Sequence, residues 1–350
     1  MFYANGDNNL EDNILLDIKE MELSTIPEHV TIIALVDRPS VPSGKFGSWS
    51  DTKLFRIVHG DDENTLSSEE IESEELSLTK SGTEELNMCD ASVITKFISF
   101  CKSNYPSDKY ALIIGSHGDG WTFPSSSLLK SIGYDSTSHN VSTSIANLAA
   151  ALRVNPPDVI VFDACNMGNI ETLYELTGCA EYIVASPNPL PLSGFNYTDV
   201  ISGLTSDMTA ENFALVFASS LQKVNDDKTM MVYSMERFSD FINFYSSGSS
   251  YIGTISAASI SDPAGAMIAR NKSIRYSVDG VSDHIDIVDY CKNFIPEKNI
   301  PFDSFILTEN NPKLSFYFPS TADGFETNYN YTTFAIDTSW NDALQVILSN

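Results

Sequence analysis

Two residues of this chain have the chemistry of an acyl-transfer site. His117 stands in the run Ser116-His117-Gly118-Asp119-Gly120-Trp121. Cys165 follows 48 positions later, in Phe162-Asp163-Ala164-Cys165-Asn166-Met167-Gly168. A thiol is a nucleophile once it has lost its proton, and an imidazole titrating near pH 6.5 can take and return that proton at neutral pH. Glycines at 118 and 120 clear side chains beside the histidine, so a substrate backbone can come close and exposed amides can stabilise an oxyanion. Taken singly, a histidine at a strand end is ordinarily a polar residue facing water, and a cysteine after an apolar run is ordinarily a small core residue. Their joint placement favours chemistry. A phosphate-cradling loop is disfavoured, because "GSHGDG" lacks both the Lys-Ser/Thr of a P-loop and the order of GxGxxG.

The elements that must position this pair are legible as apolar runs. Residues 110–116 and 158–164 read as strands, with a helix over 143–154 between them that stops before Pro156-Pro157. Further strands are expected over 30–37 and 180–187, and helices over 90–105, with Asp90 as N-cap, and over 169–178. Such strand–helix alternation predicts a parallel sheet covered on both faces, with ligands at the carboxyl ends of the strands. Two parallel neighbouring strands would bring His117 and Cys165 to one rim. Cys165 would then sit at a helix N-terminus, where the dipole favours a thiolate. Beyond this region a helix is expected over 208–224 with Thr209 as cap, a strand over 230–236, a helix over 284–295 and a half-exposed strand over 313–319. The Ser/Gly-rich stretch 246–254 reads as a boundary or loop. The division expected is a core over 1–237 and a C-terminal α+β region over 238–350 packed on it.

Composition narrows the partners. The 350 residues are 42% hydrophobic and 11% aromatic, enough for a large core. The net charge of −27 repels nucleic acid and anionic lipid and attracts cations or basic substrates. Residues 61–75 hold eight acids and no base, which reads as a solvated loop or a calcium-attracting patch without EF-hand spacing. The five cysteines form no CxxC pair, so a disulfide framework or structural zinc is not expected; Cys101, Cys179 and Cys291 read as inert core thiols. No run is long enough to span a membrane. The opening "MFYANGDN" carries no signal-peptide pattern and reads as a chain whose export signal was removed or never existed.

These segments resemble the clostripain family of cysteine peptidases, in the clan of caspases, legumains and gingipains. The matching stretches are "YANGDNNLE" (3–11), "YPSDKYALIIGSHGDGW" (105–121), "DVIVFDACNMGNIETLYEL" (158–176), "YIVASP" (182–187), "SGFNY" (193–197) and "LSFYFP" (314–319). The resemblance implies a caspase-like α/β/α sandwich and a Cys–His dyad without a third acidic member. Cys165 would be the nucleophile, His117 the general acid/base, and the amides of Gly118 and Cys165 the oxyanion hole. Residues two apart on a strand point the same way, so Asp163 should flank the nucleophile. In related peptidases that position lines the pocket for the residue before the cut, which here would favour Arg or Lys. The bland alternative is that Asp163 caps the next helix. Relatives that prefer basic residues can carry a second acid near the "GF-Y" motif, where this chain has Ser193.

The resemblance also implies maturation by self-cleavage between histidine and cysteine. Lys130-Ser131, at the only basic residue of 122–140, is the expected site, and it would leave two associated fragments of one monomer. It implies a bacterial protein, secreted or in the cell envelope, acting on polypeptide. No cofactor is needed for the chemistry. Calcium is admitted by the resemblance and the acidic charge, with no ligand set identifiable. Two other classes stay open: a catalytically silent binding module, and a non-peptidase hydrolase using the same pair.

Overall fold

A computed structural model describes residues 1–80, 82, 84–122, 132–139, 141–224, 230–243, 250–278, 281–308 and 311–349. Its strands are β1 (Phe2–Asn5), β2 (Ile33–Arg38), β3 (Asp51–Arg56), β4 (Glu69–Ile71), β5 (Ala111–Gly115), β6 (Ile132–Asp135), β7 (Val141–Thr143), β8 (Val159–Asp163), β9 (Tyr182–Ala185), β10 (Met231–Ser234), β11 (Arg275–Val278), β12 (Val281–Asp286) and β13 (Ser315–Tyr317). The main helices of the first two-thirds are α1 (Glu11–Leu23), α2 (Ala91–Asn104), α3 (Ile145–Leu152), α4 (Ile170–Glu175), α5 (Tyr197–Ser202) and α6 (Ala210–Val224).

Eight strands form one sheet in the order β10-β9-β8-β5-β1-β2-β3-β4. The five from β9 to β2 are parallel, and antiparallel strands close both edges. Alternate side chains feed two cores. Ile113, Val161 and Val184 pack with α1, α5 and α6 on one face. Leu112, Ile114, Ile160 and Phe162 pack with α2, α3 and α4 on the other. Strands buried on both faces read as unbroken apolar runs, which is why 111–115 and 159–163 are so plain in the sequence. This is the expected mostly parallel α/β/α sandwich.

From β1 the chain moves to β2 on one side and later to β5 on the other. The loops after β1 and β5 therefore part at a topological switch point, where such sheets bind ligands. The helix starts follow the capping residues: the Asp90 carboxylate accepts from the Ser92 amide at 2.8 Å, and the Thr209 hydroxyl accepts from the Asn212 amide at 3.1 Å.

Three expectations differ. The acidic run 61–75 is not all loop: Glu69–Ile71 pairs as β4 on the sheet edge, with Lys53 and Arg56 facing Glu70 and Glu69. The segment expected as a helix over 284–295 begins as β12, and helix follows only from Ile287 to Phe294. The strand at 315–317 is buried rather than half-exposed, because Trp340 and Tyr290 cover Phe316 while Tyr317 packs on Trp121 and Tyr329. These contacts belong to a hydrophobic cluster with members on both sides of residue 237.

Candidate active site

The site grows from one register. β5 and β8 are parallel neighbours in which Gly115 pairs with Asp163, and the Ser116 amide donates to the Asp163 carbonyl at 3.2 Å. His117 and Cys165 each lie two residues past these partners, so they leave the sheet level with each other on adjacent strands. Both are partly exposed. The two loops are in contact: a Cβ on Gly118 would lie 2.7 Å from the Cys165 carbonyl oxygen and 2.9 Å from the Met167 sulfur. Gly118 is thus required by the approach of the chain's own Cys165 loop, where the sequence suggested room for a substrate backbone.

Cys165 does not sit at a helix N-terminus. Asn166 turns left-handed at φ 58°, and α4 starts only at Ile170, capped by Asn169. A six-residue helix that begins five positions later brings little dipole to the sulfur, because the dipole's effect is confined to the first turn. The sulfur instead accepts a hydrogen bond from the Leu190 amide at 3.2 Å, a contact that favours the thiolate over the thiol. Four other thiols, Cys89, Cys101, Cys179 and Cys291, are buried. Burial pushes Cys89 and Cys101 to about 12 and Cys179 to about 11, and raises Cys291 as well, so all four stay protonated.

The imidazole is gripped from outside the expected pair. His117 Nε2 lies 2.7 Å from Asn9 Oδ1, and the ring meets Tyr134 edge-on at 6.5 Å. Asn9 follows β1, so the third member of the arrangement comes from the other side of the switch point. The quoted run 3–11 contained it without any spacing that gave it a role.

Asp163 is partly buried and does not cap a helix: its Oδ2 accepts from the Tyr197 hydroxyl at 2.8 Å. Burial raises its pKa to about 6 against the hydrogen bond's opposing effect. A second carboxylate faces it. A Cβ on Gly194, which is left-handed at φ 58°, would lie 3.3 Å from Asp163 Oδ2 and 3.5 Å from Asp17 Oδ1. The glycine therefore keeps open the space between two acids. Asp17 comes from α1, 146 residues before Asp163 in the chain, which is why no local pattern disclosed it. Burial and the neighbouring Asp163 push its pKa well up. Ser193 beside them is exposed. Lys130 and Ser131 lie outside the described residues.

The rim is buttressed from below. Trp121, four residues past His117, donates to His284 Nε2 at 2.8 Å in the buried interface with the C-terminal strands. Burial depresses His284 to about 4, so it stays a neutral acceptor. A cavity of about 570 Å³, lined by Met1, Tyr110 and Phe217 among others, opens at the amino-terminal ends of the strands, away from this rim.

Known proteins place these features in a family. Clostripain from Hathewaya histolytica is 35% identical over 217 residues, 57% of this chain and 40% of that protein, so the match spans less than half of the relative's length. An inactive zymogen C11 protease from Parabacteroides distasonis has the same fold with a TM-score of 0.68 at 19% identity, covering 96% of each chain. A secreted C11 cysteine protease from Bacteroides thetaiotaomicron, solved with an irreversible peptide inhibitor, gives 0.65 at 19% identity over 98% of this chain and 97% of that one. The chain belongs to the clostripain family, whose sequence model matches residues 2–334.

Proposed function

We propose that this protein is a cysteine endopeptidase that cuts after Arg or Lys. The observation that carries the reading is the Gly115–Asp163 register, which sends His117 and Cys165 off one rim side by side. His117 Nε2–H donates to Asn9, leaving Nδ1 as the base. Nδ1 takes the Cys165 proton and the thiolate attacks the scissile carbonyl. The amides of Gly118 and Cys165 hold the oxyanion. As the C–N bond breaks, the imidazolium returns its proton to the leaving amine. A water then attacks the thioester, gives its proton to Nδ1, and releases the carboxylate with a thiol restored. No cofactor enters these steps.

Asp163 is the anion of the specificity pocket and Asp17 its second acid, standing where the sequence offered only Ser193. In the unliganded pocket burial raises both acids, Asp163 to about 6 and Asp17 well above the usual carboxylate range. An incoming guanidinium would favour ionisation of both, and its flat fork suits paired carboxylates better than an ammonium does. Self-cleavage at Lys130-Ser131 would be this same specificity applied to the chain itself, and the zymogen named among the structural relatives supports that reading. The secreted relative likewise supports an exported enzyme, and no described helix is long and apolar enough to cross a membrane.

The test is a fluorogenic peptide panel varying the residue before the cut, run on the parent protein, Cys165→Ala and His117→Ala. Cleavage after Arg or Lys that vanishes in both variants is expected. Binding of peptide without turnover would mean a silent binding module, and turnover of small esters without peptides would mean another hydrolase.

A further inference from the structure

The loops that carry His117 and Cys165 are both tied to the C-terminal sheet β11-β12-β13, and they are tied at one rung of it. His284 of β12 and Tyr317 of β13 stand opposite each other in the antiparallel register. His284 takes the loop after β5: its Nε2 accepts the Trp121 indole N–H at 2.8 Å, with both side chains buried. Tyr317 takes the start of α4. Its amide donates to Glu171 Oε1 at 2.8 Å, and the Tyr329 hydroxyl donates to the same oxygen at 3.0 Å. The Trp121 ring closes the figure, meeting Tyr317 edge-on at 5.0 Å and Tyr329 edge-on at 4.9 Å. The Ser315 amide donates to the Gly168 carbonyl at 3.0 Å, so β13 also grips the chain three residues past Cys165.

The two loops touch each other as well. Gly120 is left-handed at φ 68°, and a Cβ on it would collide with the Asn169 side-chain amide. Trp121 is four residues from His117, and Glu171 is six from Cys165. Little slack is left on either side of the rung. The polar groups that make it are costly where they stand. Glu171 is buried, and neither its Oε2 nor His284 Nδ1 has a hydrogen-bond partner among the described residues. Burial pushes the Glu171 carboxyl up to about 7 despite its two donors. Apolar side chains of the same volume would pack there at lower cost. What the polar ones add is direction: a hydrogen bond fixes the angle of the indole and the height of α4, and an apolar contact fixes neither.

We infer that His284 and Glu171 are positioning residues for the peptidase reaction, which hold the imidazole loop and the thiol loop at a fixed separation through the His284–Tyr317 rung. Neither touches the reacting atoms. The inference rests on the Cys165–His117 dyad proposed above, and it gives the C-terminal strands a share in the chemistry besides their share in the core.

The test uses the full chain and the peptide of the panel above that the parent cleaves fastest, well below the thermal midpoint of each variant. His284→Leu and Glu171→Leu remove the acceptors, whereas His284→Gln and Glu171→Gln keep an acceptor oxygen. In each Leu variant kcat should fall by about 10- to 100-fold with KM within about 2-fold, the scale of a small misplacement of reacting groups. The Gln variants should recover most of that loss. Alkylation of Cys165 by iodoacetamide, mapped by peptide mass and followed against pH, should rise only at higher pH in the Leu variants, because a thiol farther from its imidazole holds its proton more tightly. If the Leu variants do not fold, Trp121→Phe, which keeps a ring in the cluster and removes the donor, carries the same expectation at about 10-fold. A lowered midpoint with kcat and the alkylation profile unchanged would make the rung a folding contact alone and overturn the inference, as would Gln variants no better than the Leu variants. Turnover lost in Cys165→Ala but unmoved in the Leu variants overturns this inference and spares the dyad. Turnover that survives Cys165→Ala overturns both.

Discussion

Two groups of buried acids share the carboxyl edge of one sheet, and they solve the same electrostatic problem differently. Asp163 and Asp17 are a pair. A hydroxyl donor serves one of them, and Gly194 keeps a gap between them. Protonation of one partner is enough to relieve such a pair. Asp7, Asp37, Glu85 and Asp135 are four, locked by backbone and hydroxyl donors and with oxygens left over. Protonation alone relieves these poorly, because unpaired buried oxygens remain. We propose that the pair is neutralised by the basic side chain of each substrate. The difference lies in how many donors surround the acids, since burial is common to both.

The sharpest way to break this contrast is to remove the pair's charge. Asp163→Asn is expected to lower kcat/KM on an Arg substrate by about 100- to 1,000-fold, the scale for losing one partner of a desolvated charge pair, and to leave thioester formation with a neutral residue before the cut nearly unaltered. Gly194→Ala fills the gap and strains a left-handed position, so Arg turnover should fall by about 10- to 100-fold, and more steeply for Arg than for Lys. Asp17→Asn should cost about 10-fold on Arg, less than loss of Asp163, because burial and the neighbouring Asp163 raise the Asp17 pKa and make its charge the weaker of the two. Asn9→Ala should lower kcat by about 3- to 10-fold with KM unchanged, as expected of a group that only orients the base.

The pair also sets a pH signature. The free-enzyme pKa of Asp163 is about 6, so kcat/KM on Arg should fall as pH drops through 6, where the carboxyl takes up a proton and loses the guanidinium. Stability runs the opposite way. Asp163 binds its proton more tightly folded than unfolded, so its contribution is greatest below the unfolded pKa of 3.8 and is lost as pH rises through 6. Asp163→Asn should therefore raise the thermal midpoint at pH 7.5 while it abolishes specificity, a loss of function with a gain of stability.

The sequence made plain what depends on local pattern. Strands 111–115 and 159–163 are apolar up to the closing Asp163 because both faces of the sheet are covered. From these, the rim position of His117 and Cys165 follows. Strand Phe2–Asn5 was passed over: it is four residues long and mixes apolar and polar types, although it lies at the centre of the sheet. Residues 284–295 carry apolar spacing that fits helix throughout, and only pairing with Ser315–Tyr317 makes the first part a strand. Asp17, Asn9 and the acid quartet were beyond reach for another reason. Their members meet from positions 7 to 163 through the sheet order, and no motif spacing connects them. The expected helix dipole at Cys165 failed because a left-handed Asn166 separates strand from helix.

In the function proposed above, Cys165 is a nucleophile activated by His117 beneath a pocket for a basic side chain. The most direct measurement is intact-mass and peptide mapping after exposure to a peptidyl acyloxymethyl ketone ending in Lys. One adduct is expected, on Cys165, formed far more slowly in His117→Ala and in Asp163→Asn and absent in Cys165→Ala. An adduct on any of the four buried cysteines, or equal labelling in His117→Ala, would contradict it.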